Sequence, residues 1–281
     1  MDTTTSYLGL RLAHPFIAGA SPMGYSLDTL KRLEDAGCAA VVLHSLFEEQ
    51  ISLATEGRVA HVDPLDARFA NVVAEYPPPT DYRFGPDGYA HHVAKVKAAL
   101  GIPVIASLNG HTGESWLKFA QVIEQAGADA LEFNYYDIAT DLSVPAAAVE
   151  DALFHAVQNL TRVVRIPVSA DVEGGYSNDL KEVAEVIARV LDAGAVGINL
   201  EDGADPPDLL CAKIEVAKRV ATRAGVALFV NARTDTYLRG LVPVERAGDA
   251  SVERAARYRS AGCDGIFVPR LVKPDEISAV A

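Results

Sequence analysis

Positive charge is scarce in this chain: 25 lysines and arginines stand against 38 aspartates and glutamates, a formal net charge of −13 at pH 7. With no basic cluster to offset it, this balance repels phosphate backbones and anionic lipid, so neither nucleic acid nor a membrane surface is an expected partner. Long apolar runs are missing as well, and a membrane span would need about eighteen consecutive apolar residues. The opening Met1-Asp2-Thr3-Thr4-Thr5 has no basic stretch followed by an apolar one, so a secretory leader is not expected. Cysteine is rare: Cys38, Cys211 and Cys263 are odd in number and far apart. Two of them fill matching small-residue slots before expected strands, which points to buried, reduced thiols and a cytoplasmic setting.

What the chain does have is apolar content, 49% of residues, enough for a large core. It also has an internal repeat. Asp35-Ala36-Gly37-Cys38 recurs as Gln125-Ala126-Gly127-Ala128, as Asp192-Ala193-Gly194-Ala195 and as Ser260-Ala261-Gly262-Cys263. Each copy follows a helical pattern and precedes a short apolar run that reads as a buried parallel strand. The glycine is expected to end each helix in the left-handed conformation. Four more strands are expected between these, over 14–21, 102–107, 166–170 and 226–231. Eight strands alternating with helices predict an α/β fold, a single (β/α)8 TIM barrel, with a doubly wound open sheet as the alternative. The stretch 47–85 reads as a lid or an ordered spacer. The last helix is expected over 274–281, only about 12 Å long.

Chemistry in such a barrel gathers at the C-terminal strand ends. The fifth strand ends Asp171-Val172-Glu173-Gly174-Gly175-Tyr176, the sixth Asn199-Leu200-Glu201-Asp202-Gly203, and the seventh Asn231-Ala232-Arg233-Thr234-Asp235. Asp171, Glu173, Glu201 and Arg233 are therefore expected at one mouth. Three carboxylates this close repel one another unless a cation lies between them, and oxygen-only ligands suit Mg2+ or Mn2+. Arg233 is expected to stay available for a small anionic substrate, a carboxylate or phosphonate held by a forked pair of hydrogen bonds. A surface salt-bridge network is the alternative. His91 and His92 adjoin on a helix and are expected to be solvated.

These motifs, with Gly265-Ile266-Phe267-Val268-Pro269, resemble the isocitrate lyase/phosphoenolpyruvate mutase superfamily over 166–281. The resemblance implies Mg2+ held by Asp171, directly or through waters shared with Glu173 and Glu201, with Glu201 and Arg233 acting on the substrate. It implies cleavage or rearrangement of a C–C or C–P bond beside a 2-oxo acid. Between Ala204 and Cys211 the chain has neither the Lys-Lys/Arg-Cys-Gly-His loop of the isocitrate lyases nor the lysine and asparagine of the phosphonate-cleaving members. Cys211 itself reads as core.

Residues 1–165 resemble a different family, the dihydroorotate dehydrogenases. The resemblance lies in Tyr7-Leu8-Gly9-Leu10, Ala18-Gly19-Ala20-Ser21-Pro22, His44-Ser45-Leu46-Phe47, Ala106-Ser107-Leu108-Asn109-Gly110 and Glu132-Phe133-Asn134. It implies that Ala20, Ser21, Asn109 and Asn134 would face FMN if the flavin bound. The glycine-rich phosphate loops and fifth-strand lysine that grip FMN in that family are not in this sequence, and His44 replaces its second-strand lysine, so no FMN is expected. A change of resemblance at the fifth strand suggests a chimera, one barrel assembled from two four-stranded halves, 1–165 and 166–281, whether designed or fused in nature. The expected function is Mg2+-dependent lyase-type chemistry on a small 2-oxo acid, weakened or lost if the barrel is a chimera. An FMN-dependent oxidoreductase and a non-catalytic engineered scaffold are the rivals, and a homo-oligomer is left open.

Overall fold

The computed structural model describes residues 4–14, 16–48, 50–51, 84–110, 115–135, 146–271 and 276. Contacts divide the chain into two compact units, one of residues 1–19 with 167–281 and the other of residues 20–166. The expected lid over 47–85 and the final helix lie almost wholly outside the described residues.

In the 20–166 unit, α1 (Leu27–Asp35) leads into β4 (Ala40–Phe47), α2 (Pro86–Ala99) into β5 (Val104–Asn109), and α3 (Ser115–Gln125) into β6 (Ala130–Asn134), followed by α4 (Ala146–Val163). The three strands pair in parallel in sequence order. The other unit continues the alternation: β7 (Val168–Asp171), α5 (Leu180–Asp192), β8 (Gly197–Glu201), α6 (Pro207–Ala224), β9 (Phe229–Arg233), α7 (Ala247–Ala261) and β10 (Gly265–Phe267). Its four strands are again parallel and sequential. Each unit is thus α/β, and β7 begins two residues after Ile166. The same unit holds β1 (Thr5–Tyr7), β2 (Leu10–Leu12) and the two-residue β3 (Ile17–Ala18), far shorter than the strand expected over 14–21. Among the described residues no helix is long and apolar enough to cross a membrane.

The repeat explains how helices hand over to strands. Gly37, Gly127, Gly194 and Gly262 all have φ between 94° and 106°, the left-handed cap expected of them. The amide one residue later reaches back to the last helical turn: Cys38 to Leu33, Ala128 to Ile123, Ala195 to Val190, and Cys263 to Tyr258. In two copies the next residue is an aspartate that locks the neighbouring strand. Asp129 accepts from the Val104 amide and from Lys97, and Asp264 accepts from the Val230 amide and from Lys218. The cysteines are half-buried rather than buried. Burial, with Asp264 alongside, still pushes the Cys263 thiol up to about 12.

An N-terminal hairpin, absent from the expected elements, precedes the parallel strands. β1 and β2 pair antiparallel around Leu8 (φ 50°) and Gly9 (φ 77°), both left-handed as a tight hairpin turn requires. Its tip packs beneath strands of its own unit: the Tyr7 ring meets Phe229 edge-on at 4.3 Å, and a Cβ on Gly197 would stand 2.6 Å from a Leu8 methyl. Burial of Leu8, which is 5% exposed, offsets its unfavourable backbone.

In the 20–166 unit His92 corrects the sequence expectation. It is buried, with Nε2 2.7 Å from the Gly24 carbonyl and its ring stacked on Phe84, whereas His91 is exposed. Helix spacing alone could not foresee a partner 68 residues away. His44 shares a 2.7 Å hydrogen bond with the Tyr25 hydroxyl, and burial, then His92, lowers its pKa to about 4. A histidine that resists protonation when folded but titrates near 6.5 when unfolded stabilises fully above that pH. The contribution is lost as pH falls from about 6.5 toward 4. For a half-exposed ring, solvent screening reduces this to about 1–2 kcal/mol. Urea midpoints at pH 7.5 and 5 should therefore fall further for the parent than for His44→Gln. Equal falls would refute this assignment.

Candidate functional site

Side chains at alternate positions of β7 to β10 share one face, and the register sets their levels. Asp171 lies beside Asn199, Asn199 beside Asn231, and Asn231 beside Gly265; one step further on, Glu201 pairs with Arg233 and Arg233 with Phe267. The lower level carries an amide pair, with Asn231 Nδ2 donating to Asn199 Oδ1 at 2.9 Å. Above it, Glu201 Oε2 meets Arg233 Nη1 at 3.0 Å. Glu201 and Arg233 are therefore brought together as expected, and Asp171 lies one level below them. Glu173 follows on the exposed loop.

That loop is held in an unfavourable backbone shape. Glu173 (φ 48°) and Tyr176 (φ 56°) are both left-handed without being glycine, at a cost of about 1 kcal/mol or more each. Three kinds of contact compensate. The Glu173 amide donates to Asp171 Oδ1 at 2.9 Å. The Glu173 carbonyl accepts from the Glu201 amide at 2.8 Å. Lys213, a buried lysine on α6, sends Nζ to the Gly174 carbonyl at 2.7 Å and to Asn178 Oδ1 at 2.9 Å. Burial lowers the Lys213 pKa, against the pull of Asp205. Nothing in the sequence pattern marked Lys213, because its partners lie 35 and 39 residues away.

Asp235, fully buried, organises the cationic side. Its Oδ1 accepts from Arg233 Nε at 2.8 Å, and its Oδ2 accepts from Arg233 Nη2 at 3.3 Å and from Arg239 Nε at 2.8 Å. Arg233 is thus engaged by two carboxylates rather than standing unengaged, because Asp235 is two residues along the same turn. Burial raises the Glu201 pKa; Arg233 opposes this, and Asp235, Asp171 and Glu173 add to it. Behind the turn, Asp202 accepts from the Asp235 amide (2.9 Å), Arg254 (2.6 Å) and the Tyr258 hydroxyl (2.5 Å). Asp202 and Asp235 both stood in the motifs that suggested a site, yet their positioning roles appear only in the folded chain.

Among the described residues no group of three or more histidine, cysteine, aspartate and glutamate side chains is close enough to grip a metal directly. The donors at this end are carboxylate oxygens on Asp171, Glu173 and Glu201, with the first two near enough to raise the pKa of the third. This chemistry fits a hard cation reached largely through water. Cys211, on α6, is half-buried with its thiol pKa raised, first by burial.

The residues singled out for FMN belong to the 20–166 unit. Ala20 is exposed, Ser21 precedes a short 3-10 turn (Pro22–Tyr25), and Asn109 is buried at the end of β5. Asn134 Nδ2 donates to Ser107 Oγ, which also bonds Ser45 Oγ and Glu132. Asn134 is thereby tied to buried Ser107 and, through it, to half-buried Ser45.

Residues 117–281 match the family model described as Phosphoenolpyruvate phosphomutase. Its span begins within the stretch that resembles dihydroorotate dehydrogenases. An uncharacterized protein of Mycobacterium tuberculosis is 40% identical over 117 residues, 40% of this chain and 41% of that one. "Probable 2-methylisocitrate lyase 1" of Corynebacterium glutamicum is 32% identical over 184 residues, 62% of this chain and 58% of that one. The chain thus spans about two-fifths to three-fifths of these curated relatives. A crystal structure of a phosphonomutase candidate from Burkholderia cenocepacia superposes with a TM-score of 0.52 at 34% identity, covering 62% of this chain and 72% of that one. At greater distance, a dihydroorotate dehydrogenase A (fumarate) candidate of Aeropyrum pernix is 25% identical over 285 residues, 95% of this chain and 85% of that one.

Proposed function

Because the chain belongs to the phosphoenolpyruvate phosphomutase family, we propose that it carries out lyase- or mutase-type chemistry, breaking or moving a C–C or C–P bond of a small 2-oxo acid with Mg2+ or Mn2+. The observation that carries it is the strand-end set of Glu201, Arg233 and buried Asp235 beside Asp171. Similarity to the methylisocitrate lyase and the phosphonomutase candidate supports the same reaction class.

Asp171, with one oxygen fixed by the Glu173 amide, would hold the cation, and Glu173 and Glu201 would reach it through water. When bound, the cation supplies stabilisation of negative charge on an enolate oxygen. Arg233, planar and already oriented by Asp235, presents its guanidinium to the substrate carboxylate or phosphonate without first losing rotamer freedom. Asp202 keeps the Asp235 turn in place. The 204–211 stretch brings no lysine, histidine or low-pKa thiol to this end, so proton delivery by that loop is no part of the proposal.

Melting temperatures against MgCl2 and MnCl2, for the parent and Asp171→Ala, test the metal. Free cation at a hundredfold over its dissociation constant should stabilise the parent by about 2.7 kcal/mol and the variant much less. Equal stabilisation of both, or of neither, would remove the site and the lyase reading with it. An FMN oxidoreductase is the second reading, favoured by similarity along nearly the whole chain to the Aeropyrum pernix protein. Stoichiometric flavin absorbance in the purified protein would promote it, whereas a protein with neither flavin nor metal response would be a non-catalytic scaffold.

A further inference from the structure

Arg239 lies on the turn after β9, six residues beyond Arg233, and has no part in the family motifs above. Its root is fixed, since its amide donates to the Asp235 carbonyl at 2.9 Å. Its head is fixed as well, by the 2.8 Å bond from Nε to Asp235 Oδ2. Asp235 therefore offers one oxygen to the Nε of each arginine, from a position with no solvent exposure. An exposed ion pair would let the long side chain wander; a shared buried anchor does not.

Glu201 completes the arrangement. Its Oε2 is 3.0 Å from Arg233 Nη1 and its Oε1 is 3.9 Å from Arg239 Nη2, so one carboxylate spans two guanidinium groups. Gly203 leaves the space beside them open: a Cβ there would stand 4.0 Å from both Arg239 Nη2 and Glu201 Oε1. Arg239 is half-exposed and Arg233 one-fifth exposed, so the cleft is open to solvent on the Arg239 side. Two arginines are balanced by Asp235 and Glu201, and when Glu201 turns away one positive charge is left facing the cleft.

We propose that Arg239 joins Arg233 in binding one anionic group of the substrate, a carboxylate or phosphonate, and that Glu201 occupies that place until the substrate arrives. The proposal rests on the reading that this end takes an anionic substrate, but it does not require the metal. It deepens that reading by making the bound group one that bridges two guanidinium forks, which favours a planar or tetrahedral oxyanion with at least two oxygens over a neutral carbonyl. Glu201 would then be released toward the Asp171 side as the substrate binds, coupling anion capture to completion of the carboxylate set.

Malonate binding by titration calorimetry, in EDTA and separately in MgCl2, tests this for the parent, Arg239→Gln, Arg239→Lys and Glu201→Gln. Arg239→Gln should weaken malonate about ten- to hundredfold in both buffers, and Arg239→Lys by less, because an ammonium keeps charge but loses the fork. Glu201→Gln should bind malonate several-fold more tightly than the parent in EDTA, an effect that loss of a merely structural contact would not produce. Unchanged affinity in Arg239→Gln, or no malonate binding by the parent, overturns the shared cleft. Unchanged or weaker affinity in Glu201→Gln overturns the placeholder role. A parent that binds malonate in EDTA with the expected loss in Arg239→Gln, yet gains no thermal stability from MgCl2, upholds the anion cleft while sinking the metal site and the lyase reading that depends on it.

Discussion

Asp202→Ala is expected to cost about 3–5 kcal/mol of folding stability. Removing one partner of a buried ion pair strands the other charge away from water, and that penalty is several kcal/mol. Here three donors lose their acceptor together: Arg254 Nη1, the Tyr258 hydroxyl and the Asp235 amide. Asp202 is 2% exposed, so water cannot easily replace it. Tyr258, whose pKa is raised by burial and then by Asp202, is itself fully buried and has no exit to solvent. Asp202→Asn should cost less, since its amide oxygen still accepts. Urea unfolding of the two variants measures the difference, and a loss under about 1 kcal/mol for Asp202→Ala would show that the network is not buried as described. The same variant should loosen the Asp235 turn and with it the hold on Arg233, so anion binding should weaken in parallel.

A second large effect is expected at Gly265, where Ala should cost about 2–3 kcal/mol by overpacking. A Cβ there would come within 2.8 Å of Asn231 Oδ1 and 2.9 Å of the Phe229 ring. Phe229 cannot swing aside cheaply, because the Tyr7 ring is set edge-on against it. Asn231 can move only by breaking its bond to Asn199. At Gly197 the nearest atom is instead a terminal methyl of Leu8, which can yield, so Ala there should be milder. Urea midpoints for Gly265→Ala and Gly197→Ala check the order, and a Gly265→Ala protein within 0.5 kcal/mol of the parent would contradict the close packing.

Local signals in the sequence were enough to find the strand ends. A glycine that must be left-handed recurs at the same place in four copies, so the entries to β4, β6, β8 and β10 could be read directly. Charged residues at strand ends then marked Asp171, Glu201 and Arg233. The remaining parts of the site depend on partners distant in sequence. Arg254 and Tyr258 meet Asp202 across 52 and 56 residues, and Lys213 reaches back 39 residues to Gly174. On their own helices these three look like ordinary amphipathic positions. The hairpin was hidden for a different reason: its turn is Leu8-Gly9, not the Asn-Gly or Asp-Gly that announces such a turn, and only burial of Leu8 makes it tolerable. His92 was misread because helix spacing says which side chains are neighbours on one helix and nothing about what covers them.

The hairpin bears on the order in which the molecule can be made. Residues 5–12 leave the ribosome long before Gly197 and Phe229, the residues they pack against. Until those strands are synthesised, the packing of Tyr7 on Phe229 and of Leu8 on Gly197 cannot form, whereas residues 20–166 can collect their contacts as they emerge. The packing of the hairpin is therefore among the last steps to be completed, and closing so long a loop slows that step relative to the local helix–strand pairings. In the meantime the apolar tip of the hairpin waits uncovered, a state in which chaperone capture, or contact with another nascent copy, competes with correct closure.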